Sequence, residues 1–149
     1  ILMLSNREPA QQVQGFYGKV STKTIDESFL SHKVYRFKVI INPTRRDSAS
    51  GKIIGVKGRA EIGAWFIERA SSSWGFSIRP EKMQVDRVEV LRFKDKKERE
   101  VTIAQAHVQG FLCVTDHNHF RKSFALGIGR GKSFGCGLLQ IVPIINQTN

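Results

Sequence analysis

Apolar and charged side chains alternate between residues 34 and 42, which is typical of a strand with one buried face. The two faces are formed by Tyr35, Phe37 and Val39 on one side and by Arg36 and Lys38 on the other. Asn42 and Pro43 end the strand, because proline has no amide hydrogen to donate. Residues 44–57 are then predicted to form a basic hairpin or loop with Ser50 and Gly51 at its tip.

Two later segments have the period of a helix. Residues 59–71 place apolar side chains on a single face, at Ile62, Trp65, Phe66 and Ala70. Residues 117–127 place Phe120 and Phe124 four positions apart, and Asp116 stands where a capping side chain is expected.

Three further strands are predicted at 85–93, 101–115 and 138–145, and a charged turn at 95–98 joins the first two. From residue 34 the order is therefore strand, helix, strand, strand, helix, strand. This βαββαβ order predicts an α+β, ferredoxin-like (RRM-like) fold, with an antiparallel four-stranded sheet and two helices on one face. Residues 1–4 are predicted to be part of a short buried strand.

Composition limits the classes of protein that this chain can be. Its 149 residues suffice for one ordinary domain or two very small ones, and 40% hydrophobic residues can build a core. No apolar run approaches the roughly 20 residues that span a bilayer, and no signal-peptide pattern is present. Two cysteines, Cys113 and Cys136, exclude a disulfide framework and favour a reducing, cytoplasmic compartment.

The net charge of +11 comes from 24 basic and 13 acidic residues, and two segments hold all of the excess. Residues 33–59 carry eight bases with Asp47 as their one acid, and residues 119–137 carry four bases and no acid. Each run alone is consistent with a solvated face. Together they favour a polyanionic partner, and nucleic acid fits better than a membrane surface because neither run is a long amphipathic helix.

Residues 127–137 form a glycine-rich segment in which Arg130 and Lys132 accompany a backbone able to approach phosphate closely. Gly131, Lys132 and Ser133 match the end of a nucleotide-binding P-loop. The spacing excludes that motif, because its first glycine would fall at Leu126 and because this segment leads from a helix to a strand. The spacing of a dinucleotide-binding fingerprint fails as well. The glycines are also compatible with simple close packing of the last strand on a helix.

Two segments resemble a known family. Residues 128–139, Ile-Gly-Arg-Gly-Lys-Ser-Phe-Gly-Cys-Gly-Leu-Leu, resemble the closing glycine-rich motif of the RAMP superfamily. Residues 36–46, Arg-Phe-Lys-Val-Ile-Ile-Asn-Pro-Thr-Arg-Arg, resemble the strand-to-Asn-Pro-Thr segment of CasE-type CRISPR RNA endoribonucleases. A helix containing Ala64 and Trp65 and the segment 108–112 follow in that family's order, so the resemblance covers essentially the whole chain.

The resemblance implies two tandem ferredoxin-like domains, with residues 1–33 as a remnant of the first, 34–146 as the second and 147–149 as a tail. It implies metal-independent cleavage of precursor CRISPR RNA beside a repeat stem-loop, with the product kept by a subunit of the Cascade complex. Partners would be the stem-loop and other Cascade subunits, including the backbone protein, with target DNA contacted only indirectly and no membrane. The family's catalytic histidine lies in the first domain, before Ile1, so no catalytic residue, metal or cofactor is assigned here.

The candidate RNA-binding residues combine the basic strand, the basic hairpin and the glycine-rich segment. Most would contact phosphates, so the shape of the RNA rather than its sequence would dominate recognition. They are Arg36, Lys38, Arg45, Arg46, Lys52, Lys57, Arg59, Gly129, Arg130, Gly131 and Lys132.

Other polar and aromatic residues have simpler interpretations. His32 is expected to be solvated, and His107 to lie on a strand face with Gln105 and Gln109. His117 and His119 open a helix and, with Cys113, hint at zinc, but no Cys-x-x-Cys pair supports a metal site. Trp65 and Trp74 could both stack on bases, but packing in the core is favoured for Trp65. A non-catalytic module that caps a stem-loop in a ribonucleoprotein complex is the main alternative function, and a ribosomal-type protein ranks below it.

Overall fold

The computed structural model describes residues 2–10 and 19–145. Two α-helices lie within this part of the chain, α1 (Arg59–Arg69) and α2 (His117–Leu126). The strands are β1 (Val34–Ile41), β2 (Thr44–Arg46), β3 (Ile53–Gly55), β4 (Phe76–Ser77), β5 (Met83–Lys94), β6 (Glu100–Val114) and β7 (Gln140–Pro143). Neither helix, nor any other helical segment in the described ranges, has the length and apolarity needed to cross a membrane.

Strand β1 is central in the sheet and pairs antiparallel with β6 on one side and with β7 on the other. Strand β5 pairs antiparallel with the outer edge of β6, with a bulge between Val85 and Arg87. The order β5-β6-β1-β7 is that of a ferredoxin-like sheet, and the predicted fold class is confirmed. The two-residue β4 joins the end of β6 beside β5 and was not predicted, because so short a strand has no periodicity.

Both helices cover the same face of the sheet. Alternate residues of β1, from Tyr35 to Ile41, are at most 2% exposed, and they pack with Ile62 and Phe66 of α1 and Phe120 of α2. The rings of Phe37 and Phe66 stack with centroids 5.8 Å apart. The predicted apolar and cationic faces of β1 are therefore both present, and burial of the apolar face against the helices drives the folding of this domain.

The ends of the helices follow local rules. The Asp116 carboxylate accepts a hydrogen bond from the His119 amide at 3.0 Å, as expected of a capping residue, and the pKa of Asp116 is lowered chiefly by this bond. Helix α1 ends at Arg69, two residues earlier than predicted, and continues as a wider turn through Ala70–Trp74. Trp74 is 5% exposed and its ring meets Trp65 edge-on at 6.0 Å, so both tryptophans belong to the core.

Several predicted strand bounds change, and one predicted strand is absent from the described residues. Strand β5 begins two residues before the predicted position, and β7 pairs only over Gln140–Pro143 although Leu139 is also buried. The short buried strand expected near the N-terminus is wrong for residues 2–4, since Leu2 and Met3 are exposed and pair with no described strand. Ile1 and the predicted tail 147–149 lie outside the described residues.

The segment before β1 is fastened to the sheet by the buried Tyr35. Its hydroxyl donates to the Phe29 carbonyl at 2.7 Å and accepts from the His32 amide at 3.0 Å. Burial raises the pKa of Tyr35. The Phe29 ring lies beside both Tyr35 and Phe124, so the turn Glu27–Leu30 is joined to the helix-covered face of the sheet.

Replacing Tyr35 with phenylalanine should therefore loosen this segment. The variant leaves a carbonyl and an amide without their partner, and we expect unfolding to become easier by about 1–3 kcal/mol in a denaturant titration. The His32 amide should exchange with solvent faster, while amides in the β1–β6 ladder change only with global stability. Unchanged exchange at His32 would contradict the role assigned to the hydroxyl.

Candidate nucleic-acid interface

The predicted basic segment after β1 is a hairpin of β2 and β3, with Arg45 paired to Ile54 and Arg46 to Ile53. Its tip is held by polar contacts rather than by apolar packing. The Asp47 carboxylate accepts from the hydroxyl and amide of Ser50, which lowers the pKa of Asp47. Arg46 donates to the Gly51 carbonyl at 2.6 Å. The one acid of this segment and one of its arginines thus fix the turn, and the other cations remain exposed.

The glycine-rich segment is attached to the end of β1, at the point where the hairpin begins. The Gly137 amide donates to the Ile40 carbonyl at 2.7 Å, and the Ile128 amide donates to the Gly137 carbonyl at 2.9 Å. Asn42 and Arg130 form an isolated antiparallel bridge. The glycine-rich segment and the hairpin therefore meet at Asn42, although they are some 90 residues apart in sequence.

Glycine is required at two of these contacts. Gly129 has a φ of +70°, and a Cβ there would lie 2.8 Å from the Ile41 side chain. Gly137 has a φ of +87°, and a Cβ there would collide with the Ile128 carbonyl oxygen. The glycines do permit close packing, but the segment packs on β1 and not, as was expected, on a helix.

The second half of the segment crosses the sheet face opposite the helices. Gln105 on β6 donates to the Phe134 carbonyl at 3.2 Å, and the Phe93 and Phe134 rings lie 5.5 Å apart. Cys136 is buried beneath this turn, and burial raises the pKa of its thiol. These contacts hold the turn Lys132–Phe134 in place, and its first residue, Lys132, is exposed.

The exposed side chains of β1 form a line that leads to this junction. Arg36 and Lys38 alternate with the buried residues, so they share the uncovered face and point away from the helices. From Arg36 to Asn42 the strand advances about 20 Å. We call this line together with Arg130, Lys132 and the hairpin the basic track. Its candidate residues are Arg36, Lys38, Arg45, Arg46, Lys52, Lys57, Gly129, Arg130, Gly131 and Lys132. The remaining predicted residue, Arg59, is the first residue of α1, which covers the other face of the sheet.

The second basic run of the sequence does not form one surface. Arg121 and Lys122 are exposed on α2, which lies on the helix-covered side, whereas Arg130 and Lys132 lie at the junction with β1. Sequence reasoning combined these four bases because they are neighbours in the chain. The glycines between them reverse the chain direction and separate the two pairs.

Four cations of the track form no ion pair in the described part of the chain, whereas three acids of the β5–β6 hairpin are paired. Within the described residues, no ion pair involves Arg36, Lys38, Arg45 or Arg130. By contrast, three acids of the β5–β6 hairpin lie in ion pairs: Glu89 with Arg87 at 2.5 Å, Glu98 with Lys94 at 2.9 Å and Asp95 with Arg99 at 2.7 Å. The charge of these four cations is therefore not balanced by ion pairs among residues 2–10 and 19–145.

The histidines have structural surroundings. His119 contacts the Asp116 carboxylate at 2.8 Å, and His107 lies 3.5 Å from Glu89 on the uncovered sheet face. His32 is only partly solvated, because its half-buried ring lies edge-on against Tyr35 at 6.1 Å. Within residues 2–10 and 19–145 there is no group of three or more His, Cys, Asp or Glu side chains suited to a metal ion.

A ferredoxin-like domain with a basic hairpin after its first strand and a glycine-rich segment before its last is the arrangement that the sequence resemblance predicted. A family model described as CRISPR associated protein matches residues 1–143. The CRISPR-associated endoribonuclease Cse3 of Thermus thermophilus is 32% identical over 117 residues, 72% of this chain and 55% of that protein. The chain belongs to the CRISPR-associated protein family and is of the CasE type.

Solved structures share the fold. CRISPR endoribonuclease Cse3 bound to a 19-nucleotide RNA is 27% identical with a TM-score of 0.67, covering 75% of this chain and 57% of that one. A chain of a CRISPR RNA-guided surveillance complex, pre-nicking, is 24% identical with a TM-score of 0.65, covering 87% and 64%. This chain therefore spans a little over half the length of the Cse3 proteins it matches.

Two glycines of the segment should respond differently to the same substitution. Gly135 and Gly137 both have positive φ, so alanine at either strains the backbone by about 1–2 kcal/mol. Only at Gly137 does the added carbon also meet a carbonyl oxygen, because Gly135 faces open space. Gly137→Ala should lose at least about 2 kcal/mol more than Gly135→Ala in chemical denaturation. Equal losses would show that the close approach of Gly137 to the Ile128 carbonyl does not constrain the segment.

Proposed function

We propose that this chain binds the stem-loop of a CRISPR repeat RNA along the basic track. We further propose that the whole protein cleaves precursor CRISPR RNA beside that stem without a metal ion and then remains on the product as a Cascade subunit. The observation that carries the proposal is the junction at Asn42, where the hairpin, the glycine-rich segment and the cationic face of β1 meet.

The shape of the track suits an RNA duplex. An A-form stem presents closely spaced phosphates on both sides of a deep, narrow major groove, which opens at the end of a stem. A two-stranded hairpin with exposed cations can follow those phosphates, and its polar-held tip stays ordered without a core of its own. Arg130 and Lys132 then hold the phosphates that emerge beside the junction, with backbone amides of the glycine-rich segment as further donors.

Cleavage is assigned to the whole protein because the described residues supply binding groups rather than a complete catalytic set. Metal-free cleavage uses the ribose 2′-hydroxyl as nucleophile and needs a proton-transfer group near the scissile phosphate. The sequence resemblance places that histidine in a preceding ferredoxin-like domain, and we propose that residues 1–33 are the remnant of it and 34–146 the second domain. Glu27–Leu30 would form the connection, fastened by Tyr35.

Some relatives support the proposed RNA binding and cleavage, and others support only the fold. Cse3 of Thermus thermophilus is an endoribonuclease, and a Cse3 structure contains a bound RNA of 19 nucleotides. The chain from the surveillance complex has a similar fold, and the proposed Cascade partners rest on the sequence resemblance. A non-catalytic module that caps the stem-loop is the second candidate, because none of the histidines in this chain matches the position of the family's catalytic histidine.

Reversing two hairpin charges should weaken binding to a repeat stem-loop. We choose Arg45→Glu with Lys52→Glu, because Arg46 holds the tip. Retention in a gel shift at moderate salt should fall at least about tenfold, as expected for lost phosphate contacts, and the salt dependence should become shallower. Arg121→Glu with Lys122→Glu makes the same change in net charge on α2 and should leave affinity within about threefold. Equal weakening by the two pairs would contradict a localised track.

A cleavage assay distinguishes the endoribonuclease from the non-catalytic capping module. The complete protein, including any residues that precede Ile1, is incubated with end-labelled repeat RNA in excess EDTA. One product cut beside the stem, absent when the 2′-hydroxyl at the cut position is replaced by hydrogen, is the expected result. Tight binding without any product, with or without added divalent metal, would favour the capping module, and product formed only with metal would contradict the metal-independent mechanism.

A further inference from the structure

The uncovered face of the sheet contains a groove that shares only Arg36 with the basic track. It lies at the Arg36 end of β1, between the surface of β6 and the turn Pro80–Lys82, and its volume is about 360 Å³. Gly110 allows that turn to come so close, because a Cβ there would meet the Lys82 backbone. The residues that matter to its chemistry are Arg36, Glu81, Lys82, Gln84, Gln109 and Phe111.

Cross-strand register places an aromatic ring beside a cation in this groove. Arg36 on β1 pairs directly with Phe111 on β6, and Gln109 pairs directly with Gln84 on β5, so these side chains project from the same face. Phe111 is 41% exposed, and no other aromatic ring of the described residues contacts it. Phe111 follows Gln105, His107 and Gln109 on this face of β6, and an exposed phenylalanine at this position is not needed for the core.

The polar groups of the groove can read a planar ring. Within the described part of the chain, neither the Gln84 nor the Gln109 side-chain amide is in a hydrogen bond, and each offers both donors and an acceptor. Glu81 adds an acceptor for the amino or imino hydrogens of a base, while Arg36 and Lys82 supply positive charge for the phosphate attached to it. An aromatic platform, free amides and flanking cations are the groups with which proteins bind unpaired nucleotides.

The size and surroundings of the groove decide between possible occupants. Its volume lies at the lower end of the range for small-ligand sites, about 300–1,000 Å³, which admits one or two unpaired nucleotides but no duplex. A packed protein segment would require a broad apolar surface, whereas here a single ring is surrounded by charged and amide groups. The cationic side of β1 also connects the groove with the junction about 20 Å away, so one RNA can reach both.

We infer that this groove binds an unpaired base of the RNA that flanks the stem-loop, with the base stacked on Phe111 and its phosphate held by Arg36. The inference rests on the proposed function, and it adds a site for single-stranded RNA to the track that holds the stem. The groove would act as a second anchor, so a stem with an unpaired extension would bind more tightly than the stem alone.

The test measures that gain in affinity with the full-length protein. Dissociation constants are compared by fluorescence polarisation for a repeat stem-loop alone and for the same stem-loop with a single-stranded extension of about six nucleotides at either end. For the unaltered protein one extension should increase affinity at least about fivefold, as expected for one stacked base. Phe111→Leu, which keeps an apolar side chain of similar size, should abolish this gain and leave the affinity for the bare stem unchanged.

Phe93→Leu is the matched control, since Phe93 lies on the same hairpin with nearly equal exposure, 38%. It packs against Phe134, so any disturbance of the glycine-rich segment appears with the bare stem, while the gain from the extension should persist. Phe111→Tyr should keep the gain. If the stem binds and the extension adds nothing, or if Phe111→Leu keeps the gain, the inference is wrong and the proposed function stands. Failure of the bare stem to bind would instead contradict the proposed function.

Hydroxyl-radical footprinting adds a measurement that does not depend on affinity. In the RNA-free protein Phe111 should be oxidised readily, and the stem-loop with its extension should protect it while the bare stem should not. Protection of Phe111 before any RNA is added would show that another part of the protein covers the groove, and the inference would be overturned.

Discussion

The two-sided character of β1 is the constraint on which the rest of the molecule depends. One set of its side chains is buried under both helices, and the other set is exposed and cationic. Because neighbouring residues of a strand point to opposite faces, neither set can be displaced without the other. The cationic line is therefore as fixed as the hydrophobic core behind it. A charged surface built on the central strand of a sheet also needs no separate stabilisation of its own.

The backbone at the end of β1 extends this rigidity to segments that have little core. The hairpin has no buried residue in β2 or β3, and the glycine-rich segment contains only a one-turn helix. Both would be mobile as isolated peptides. The hairpin begins directly after Pro43, and the Gly137 amide donates to the Ile40 carbonyl. The sheet therefore fixes the position of both the hairpin and the glycine-rich segment. Glycine allows close approach here, at Gly129 to the Ile41 side chain and at Gly137 to the Ile128 carbonyl, which a larger side chain would prevent.

Local signals in the sequence were sufficient to predict most helices and strands. They were insufficient to predict how these elements pack against one another. Alternation in β1, the spacing of Phe120 and Phe124, the Asp116 cap and the turn residues of the hairpin are all encoded within a few positions, and each was predicted. The wide turn after α1, the two-residue β4 and the separation of Arg121 from Arg130 were not. They depend on contacts between distant segments. The groove at Phe111 was missed for the same reason, although an aromatic residue on a polar strand face was a visible signal.

The outer strands of the sheet have a consequence for how copies of this molecule behave toward one another. Each leaves one row of backbone amides and carbonyls without a partner among the described residues, and such rows invite sheets to join edge to edge. Here β7 is only four residues long and ends in a proline, while β5 is interrupted by its bulge and carries Arg87, Glu89, Arg92 and Lys94 among its apolar residues. The short β7 and the bulged, charged β5 are both poor templates for pairing with the sheet of another molecule. Edge-to-edge assembly into extended polymers is therefore opposed at both edges.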